Sequence, residues 1–558
     1  MVTFGRRTIL WPNRKTMMTN KEIAGWFRKL ADIMELHGEN PFKIRSYQSA
    51  YVTLRKWGEP LADLSLDQLN EISGIGKAIS EKIRELVETG TLATYQKYAD
   101  QTPEGVVELL DVPGIGPKKV RLLWKELGVE SLGELLYACN ENRLIELKGF
   151  GVKTQEDLQA KLAFYLQNKG QMRYPDALQV AREVLMELEA LAPGARVELT
   201  GELRRGCQVI SEIAMLWNPP ATMDLAGLPG FKREEESWWY LREDHPAVRV
   251  FTTSLDQWGE QLWLTTGTPA YVRSFPVTAR TAAEESDFMR ANDLPLHLPE
   301  WRESREWAEA AAGRPGELID VHHIRGMIHA HSKWSDGVHT VEEMALAARS
   351  AGAEYLVMTD HSQSAFYANG LKPDRVVAQR KEIEALNRQL APFRIFHGIE
   401  SDILYSGELD YEEDVLSSFD VVIASVHSQL KMDEDRAMTR LLGAIQNRHT
   451  RILGHPTGRL LLSRSGYPVD HRKLIEACAE HGVAIELNAN PARLDLDYTW
   501  LPYAMECGVL VAINPDAHSM AGIQDVQYGV QVARKAGLRV DNCLNTMDIG
   551  RFLEWISD

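Results

Sequence analysis

Six imidazoles and three carboxylates, side chains that bind divalent metals well, recur between residues 329 and 518 at one kind of place. Each stands at the end of a short apolar run or in the loop just after it. Gly326-Met327-Ile328 leads into His329-Ala330-His331, and Tyr355 to Thr359 leads into Asp360-His361. Phe393 to Ile399 leads into Glu400, Val421 to Val426 into His427, Arg451 to Gly454 into His455, and Val509 to Pro515 into Asp516-Ala517-His518. Of the 16 histidines in the chain, 13 lie between His322 and His518. A lone histidine after a strand usually serves the core, but nine ligand-type residues at successive run ends do not fit that reading. Imidazole and carboxylate without thiolate suit zinc, manganese or iron, and one protein site can accept several of these.

The elements that must position these residues follow from the same pattern. Short apolar runs bounded by turn formers read as buried parallel strands, and between them lie helical patterns such as Val341 to Ser350 and Arg375 to Leu390. Strand and helix alternate. In a closed parallel barrel all strand C-terminal ends open on one face, so ligands far apart in sequence become neighbours there.

Taken with Ser335-Asp336-Gly337, the T-D-H, H-G-I-E, S-V-H, G-H-P-T-G-R and D-A-H segments make this stretch resemble the polymerase and histidinol phosphatase (PHP) domain. The resemblance implies a distorted (β/α)7 barrel with a three-metal site and no organic cofactor. It implies that His329, His331, Glu400 and Asp516 hold one divalent ion and that Glu400 bridges to a second bound by His427. Asp336, His361, His455 and His518 would hold the third. Glu400 and His427 become the essential residues of the bridging pair. Arg459, in G-H-P-T-G-R, becomes a phosphate contact, because a guanidinium matches phosphate geometry.

The rest of the chain sets bounds. Its 558 residues predict three or four domains, and 44% hydrophobic with 25% charged residues is globular. No apolar run reaches the roughly 18 residues of a membrane span. Residues 1–16 are basic but lack the apolar core of a signal peptide; they read as a tail, with Met17 or Met18 as alternative starts. Cys139, Cys207, Cys478, Cys507 and Cys543 include no C-x-x-C, which points away from disulfides and thiolate metal sites and toward a reducing cytoplasm. A net charge of −17 argues against holding nucleic acid by bulk electrostatics. Any such contact must be local.

The first third offers local contacts. Ser73-Gly74-Ile75-Gly76-Lys77, Pro113-Gly114-Ile115-Gly116-Pro117-Lys118-Lys119 and Lys148-Gly149-Phe150-Gly151-Val152-Lys153 each follow an apolar segment and open a further helix. Two glycines one residue apart allow a tight hairpin whose amides, with the next helix's N-terminus, face an anion. The unit resembles the helix-hairpin-helix motif, which grips phosphates without reading bases. Lys118, Lys119, Arg121 and Lys125 add a basic helix face. Three such hairpins behind a helical segment resemble the small and fingers domains of family X DNA polymerases; in the small domain, Lys43 could in principle form a Schiff base with an abasic sugar, although a phosphate-contacting or solvated lysine fits better.

That family continues with a palm motif G-S-x-R-R-G and then G-D-x-D. Here it reads Thr200-Gly201-Glu202-Leu203-Arg204-Arg205-Gly206, then Ser211-Glu212-Ile213-Ala214. About 540 residues therefore resemble the bacterial family X polymerase fused to a PHP domain. Glu212 and Ala214 occupy the places of two magnesium-binding aspartates, the third falls near Arg249, and Glu202 replaces the serine that meets the triphosphate. Two-metal nucleotidyl transfer needs carboxylates to place both ions, so polymerase chemistry is expected to be lost. The expected domains are a tail (1–16), a small helical domain (17–99), a fingers-like domain (100–170), a degenerate α+β palm and thumb (171–314) and the PHP barrel (324–558). The function expected is DNA repair: a DNA-binding, metal-dependent phosphoesterase, a 3'-5' exonuclease or an abasic-site endonuclease or both, acting on gapped or nicked DNA, 3' ends or abasic sites. The alternatives are a small-molecule phosphate monoesterase of the histidinol phosphatase type and a non-catalytic DNA-binding scaffold.

Overall fold

The computed structural model describes residues 18–140, 143, 144, 147, 149–234, 237–242, 245–278 and 281–557. The expected tail and the candidate start Met17 lie outside the described residues, as does Lys148. Two compact units divide after Lys169.

The first unit is helical among its described residues. Its opening helix, Asn20–Leu36, starts at a capping box between Thr19 and Glu22 and buries Ile23, Phe27, Leu30 and Met34, the spacing of one helical face. Each of the three glycine pairs lies between helical segments: before Lys77–Thr89, before Pro117–Leu127 and before Val152–Asn168. The first glycine of each pair takes a positive φ (+86°, +85° and +93° at Gly74, Gly114 and Gly149), a backbone that other residues rarely adopt. The second glycine caps the helix that follows.

The second unit holds a five-stranded mixed sheet and a parallel barrel. In the sheet, Ile213–Trp217 lies between antiparallel Val197–Thr200 and parallel His245–Thr252, with Ser237–Arg242 and Phe231–Glu234 beyond. Helix Tyr174–Leu191 covers one face with Ala177, Val180, Ala181, Val184 and Leu188. A buried ammonium ties this part to the barrel: Lys535 Nζ donates to Glu303 Oε1 (2.6 Å) and to the carbonyls of Arg205 and Glu300 (3.2 Å each).

The barrel strands are β1 (Gly326–Ala330), β2 (Tyr355–Met358), β3 (Arg394–Asp402), β4 (Val421–Ser425), β5 (Thr450–Leu453), β6 (Ala484–Asn488) and β7 (Val511–Asn514), all parallel and in sequential order. The ring closes where Ala330 bridges Ala517, with His331 N–H donating to Ala517 O at 2.8 Å. Six of these strands contain or overlap the apolar runs of the sequence. The seventh, β6, ends on no histidine and escaped that pattern. Both strand faces are buried, as parallel sheets require. Ile328, Val357, Phe396, Ile423 and Ile452 fill the inside, and the C-terminal helix Ile549–Ser557 stacks Phe552 on Tyr355 with ring centroids 4.6 Å apart.

Candidate metal centre

Glu400 stands at the middle of the mouth, 1% exposed, with five imidazoles around it. Its Oε1 lies 3.2 Å from His329 Nε2, 3.1 Å from His427 Nε2 and 3.0 Å from His455 Nε2. Its Oε2 lies 2.9 Å from His361 Nδ1 and 3.6 Å from His331 Nε2. Local backbone features aim these groups. At Gly398 a Cβ would press within 3 Å of Thr359 and Val421, so the glycine lets β3 run close to both neighbours and on to Glu400. A bulge between Ile328 and Ala330 turns His329 inward at φ +67°, and Asp516 sits at φ +50°. Such backbone is held only where the surroundings over-determine it, which is typical of functional sites. In Ser335-Asp336-Gly337 a Cβ on the glycine would collide with the His331 carbonyl at 2.5 Å, so the loop can fold down and carry Asp336 to His361 and His518.

At the mouth, three groups have ligand atoms within 4.8 Å of one another: His329, His331 and Asp516; His361, Glu400 and His427; and His331, Asp336, His361 and His518. His455 departs from the expected partition. It contacts Glu400 and lies 5.1 Å, ring to ring, from His427, which puts it with the Glu400–His427 pair and not with Asp336 and His518. Asp360, counted among the run-end carboxylates, faces elsewhere: it accepts from the backbone and hydroxyls of Ser332 and Ser335 and from Gln379, which knots the loop after β1.

Charge balance in the mouth is tight. Burial alone would depress His427, but Glu400 and Asp402 outweigh it and raise the imidazole to about 10. His518 rises to about 9, with Asp336 and Asp516 prevailing over burial. His331 falls to about 4 through burial and the neighbouring His518 and His361. Glu400 and Asp516 resist burial and stay well below the usual carboxylate range because imidazolium charges face them. Here protons do what a cation would do. His329 Nε2, His331 Nε2 and Glu400 Oε2 are buried without a well-directed hydrogen bond, a cost that a coordinated ion removes. The nitrogen and oxygen donor set, with no sulfur, is compatible with divalent metals.

Two carboxylates absent from the sequence reading orient the ligands. Glu486, fully buried on β6, accepts from His329 Nδ1 at 2.7 Å, from His455 N–H at 3.0 Å and from the amides of Asn488 and Asn514. Asp402 takes His427 Nδ1. Carboxylates that hold the second nitrogen of a histidine fix its tautomer for metal binding. Arg459 does not point at the mouth. Its guanidinium pairs with Asp497 at 2.6 Å and holds the carbonyls of Arg493 and Leu494. Arg493 instead reaches the mouth, with Nε 3.4 Å from Asp516 Oδ2.

In the five-stranded sheet Ala214 pairs directly with Arg249. Arg249 lies 3.4 Å from Glu212 Oε2, and Glu202 accepts from the backbone of Ser211 and Glu212. Arg204 and Arg205 are tied to Glu285 and Glu303. In the helical unit Lys43, Arg45, Gly74, Gly76 and Lys77 line one open cleft of about 670 Å³. Lys118 is 83% exposed beside the second hairpin, Lys119 lies over the Phe150 ring at 5.4 Å, and Gly151 and Lys153 are exposed.

Residues 18–92 match the helix-hairpin-helix domain family, residues 106–163 the SAM-like helix-hairpin-helix tandem and residues 328–490 the PHP domain. The chain is 36% identical to the DNA polymerase/3'-5' exonuclease PolX of Bacillus subtilis (strain 168), over 96% of this chain and 100% of that one. A probable phosphatase of Thermoanaerobacter sp. (strain X514) is 28% identical over 43% of this chain and 95% of its own length. One from Shewanella halifaxensis (strain HAW-EB4) is 25% identical over 41% and 88%. Among the described residues no helix is long and apolar enough to cross a membrane.

Proposed function

The chain belongs to the bacterial family X DNA polymerases fused to a PHP domain, and on that premise we propose that it is a metal-dependent DNA phosphodiesterase working at the barrel mouth. The observation that carries this is the convergence of His329, His331, His361, His427 and His455 on the one buried carboxylate of Glu400. Three divalent ions, manganese, zinc or iron, would be held by His329, His331, Glu400 and Asp516; by Glu400, His427 and His455; and by Asp336, His361 and His518. Bound there, such ions supply a nucleophile at neutral pH and neutralise the phosphate oxygens and the departing alkoxide.

The chain's own residues do the rest. Glu486 and Asp402 keep the far nitrogens of His329 and His427 occupied, so that Nε2 of each faces the mouth. Arg493, steadied by Arg459 through its carbonyl, offers a guanidinium to a phosphate beside Asp516. Gly74, Gly76, Gly114, Gly116, Gly149 and Gly151, with Lys77, Lys118, Lys119 and Lys153, grip the DNA backbone without reading sequence.

Polymerase chemistry is lost in this reading. Ala214 has no side-chain atom to ligate a metal, and the Arg249 guanidinium, paired with Glu212 at 3.4 Å, would repel a cation there. A repair role in the cytoplasm on gapped or nicked DNA, 3' ends or abasic sites fits a protein that combines a backbone grip with a phosphodiesterase. The relatives named probable phosphatases support a second reading, hydrolysis of a small phosphate monoester. Metal-stripped full-length protein given manganese and a 5'-labelled oligonucleotide separates them: progressive shortening from the 3' end is expected, and hydrolysis of p-nitrophenyl phosphate without any DNA cleavage would favour the second.

A further inference from the structure

Phe366 is the most exposed large apolar side chain among the described residues, at 86%. It stands five residues after His361, in the loop that leaves β2 at the metal mouth. A lone exposed ring is ordinary on a protein surface. Two observations set this one apart. The first is the stiffness of its support. Ala365 and Ala368 on either side are buried, and Phe366 N–H bonds Ser364 O at 2.9 Å. Gly370 N–H bonds Ala365 O at 3.1 Å, and Leu371 N–H returns to His361 O at 2.8 Å. Ser364 is pinned in turn by its N–H to Asp410 (2.6 Å) and its hydroxyl to Asp402 (2.9 Å), the carboxylate that holds His427. The ring is thus presented on a frame continuous with the ligand shell, and it has no packing to gain there.

The second is where its companions lie. Five large apolar side chains are exposed among the described residues from 321 onward: Val321, Phe366, Val377, Tyr405 and Met520. Phe366, Tyr405 and Met520 sit on the loops after β2, β3 and β7, which open on the mouth. Tyr405 is 53% exposed and carries the Arg436 guanidinium 3.5 Å from its ring centroid, a stacked pair in itself. A site for a small phosphate ester needs charge at its rim. A bare ring on a rigid loop, as at Phe366, suits a flat apolar partner.

We propose that Phe366 is a nucleobase-stacking residue, which holds a base of the single-stranded 3' end while its phosphodiester lies against Glu400 and His427. This deepens the phosphodiesterase reading and rests on it. It gives the mouth a preference for base-bearing, unpaired 3' ends over 3' ends that lack a base. Every nucleobase has a stacking face, so the preference is independent of sequence.

The test uses the full-length protein with manganese and two single-stranded oligonucleotides, one natural and one carrying tetrahydrofuran abasic residues at its last three 3' positions. Stacking on an aromatic is lost on truncation to alanine with a penalty of roughly 5- to 150-fold per base. Phe366→Ala should raise KM on the natural end by a factor in that range with little change in kcat, because the ring binds ground state and transition state alike. It should leave the abasic end at the wild-type rate, and Phe366→Trp should restore the natural end. A Phe366→Ala protein that trims both ends as the wild type does overturns the proposal while leaving the phosphodiesterase reading intact. A wild-type protein that hydrolyses p-nitrophenyl phosphate but neither oligonucleotide overturns both.

Discussion

Replacing Glu486 with glutamine should weaken metal binding without removing any direct ligand. All four hydrogen-bonding neighbours of this carboxylate are donors: His329 Nδ1 and Asn514 Nδ2 on Oε2, His455 N–H and Asn488 Nδ2 on Oε1. Neither asparagine is free to turn its oxygen inward, since Asn488 also donates to Asp516 and accepts from Asn490 N–H, while Asn514 accepts from Asn545. A glutamine can satisfy one pair, and its amide nitrogen then confronts the other two donors. Two buried donors left unpaired cost about 1–3 kcal/mol each. The loss of a carboxylate that orients a ligand histidine weakens metal affinity roughly 10- to 100-fold, or about 1.4–2.8 kcal/mol. Manganese titration of oligonucleotide trimming reads the second figure and thermal unfolding of the metal-free protein the first. The expected result is a displaced titration that regains most of the wild-type rate at saturating manganese. An unchanged manganese midpoint would refute the argument that Glu486 holds His329 in its binding tautomer.

Protons and metal ions compete for the mouth. A ligand histidine must be neutral, and in the metal-free protein His427 titrates at about 10 and His518 at about 9, above the unfolded value of about 6.5. Manganese affinity should therefore climb from pH 6 to 9 with proton release, as calorimetry in buffers of different ionisation enthalpy would show; a flat profile would contradict it. By the same linkage, the stability these protons give the metal-free protein is full below about pH 6.5 and is lost as pH rises through 9 to 10. In the second hairpin, a Cβ at Gly116 meets nothing within 4 Å, so Gly116→Val should leave the fold intact while blocking phosphate approach. A roughly tenfold loss of affinity is expected, the worth of one charge-assisted hydrogen bond, alike for all sequences in fluorescence anisotropy. Primer extension with magnesium or manganese should show no template-directed addition, since losing two positioned ions removes several kcal/mol at tenfold in rate per 1.36 kcal/mol; extension that survives Glu212→Ala would show the palm carboxylates to be misplaced.

The sequence made the barrel legible because each ligand ends an apolar run, and a strand end is a place that periodicity can find. It could not show which ligands share an ion. His455 follows β5 as His427 follows β4, and only the closed ring puts its imidazole against Glu400. Glu486 was hidden for a different reason: inside Ala484–Asn488 it reads as one polar residue in a strand that carries no terminal ligand. Arg459 misled because its motif gives residue type and not direction, and the direction is set by Asp497, 38 residues away. In the palm, motif spacing placed Arg249 only approximately. Strand pairing puts it directly beside Ala214.

The most direct test of the barrel mouth as the catalytic centre is the oligonucleotide-trimming rate of the full-length His329→Ala/His331→Ala protein with manganese, measured beside its affinity for the same DNA. The arrangement around Glu400 predicts that trimming disappears while binding stays near the wild-type value, because the hairpin glycines and lysines are untouched. Undiminished trimming would contradict it.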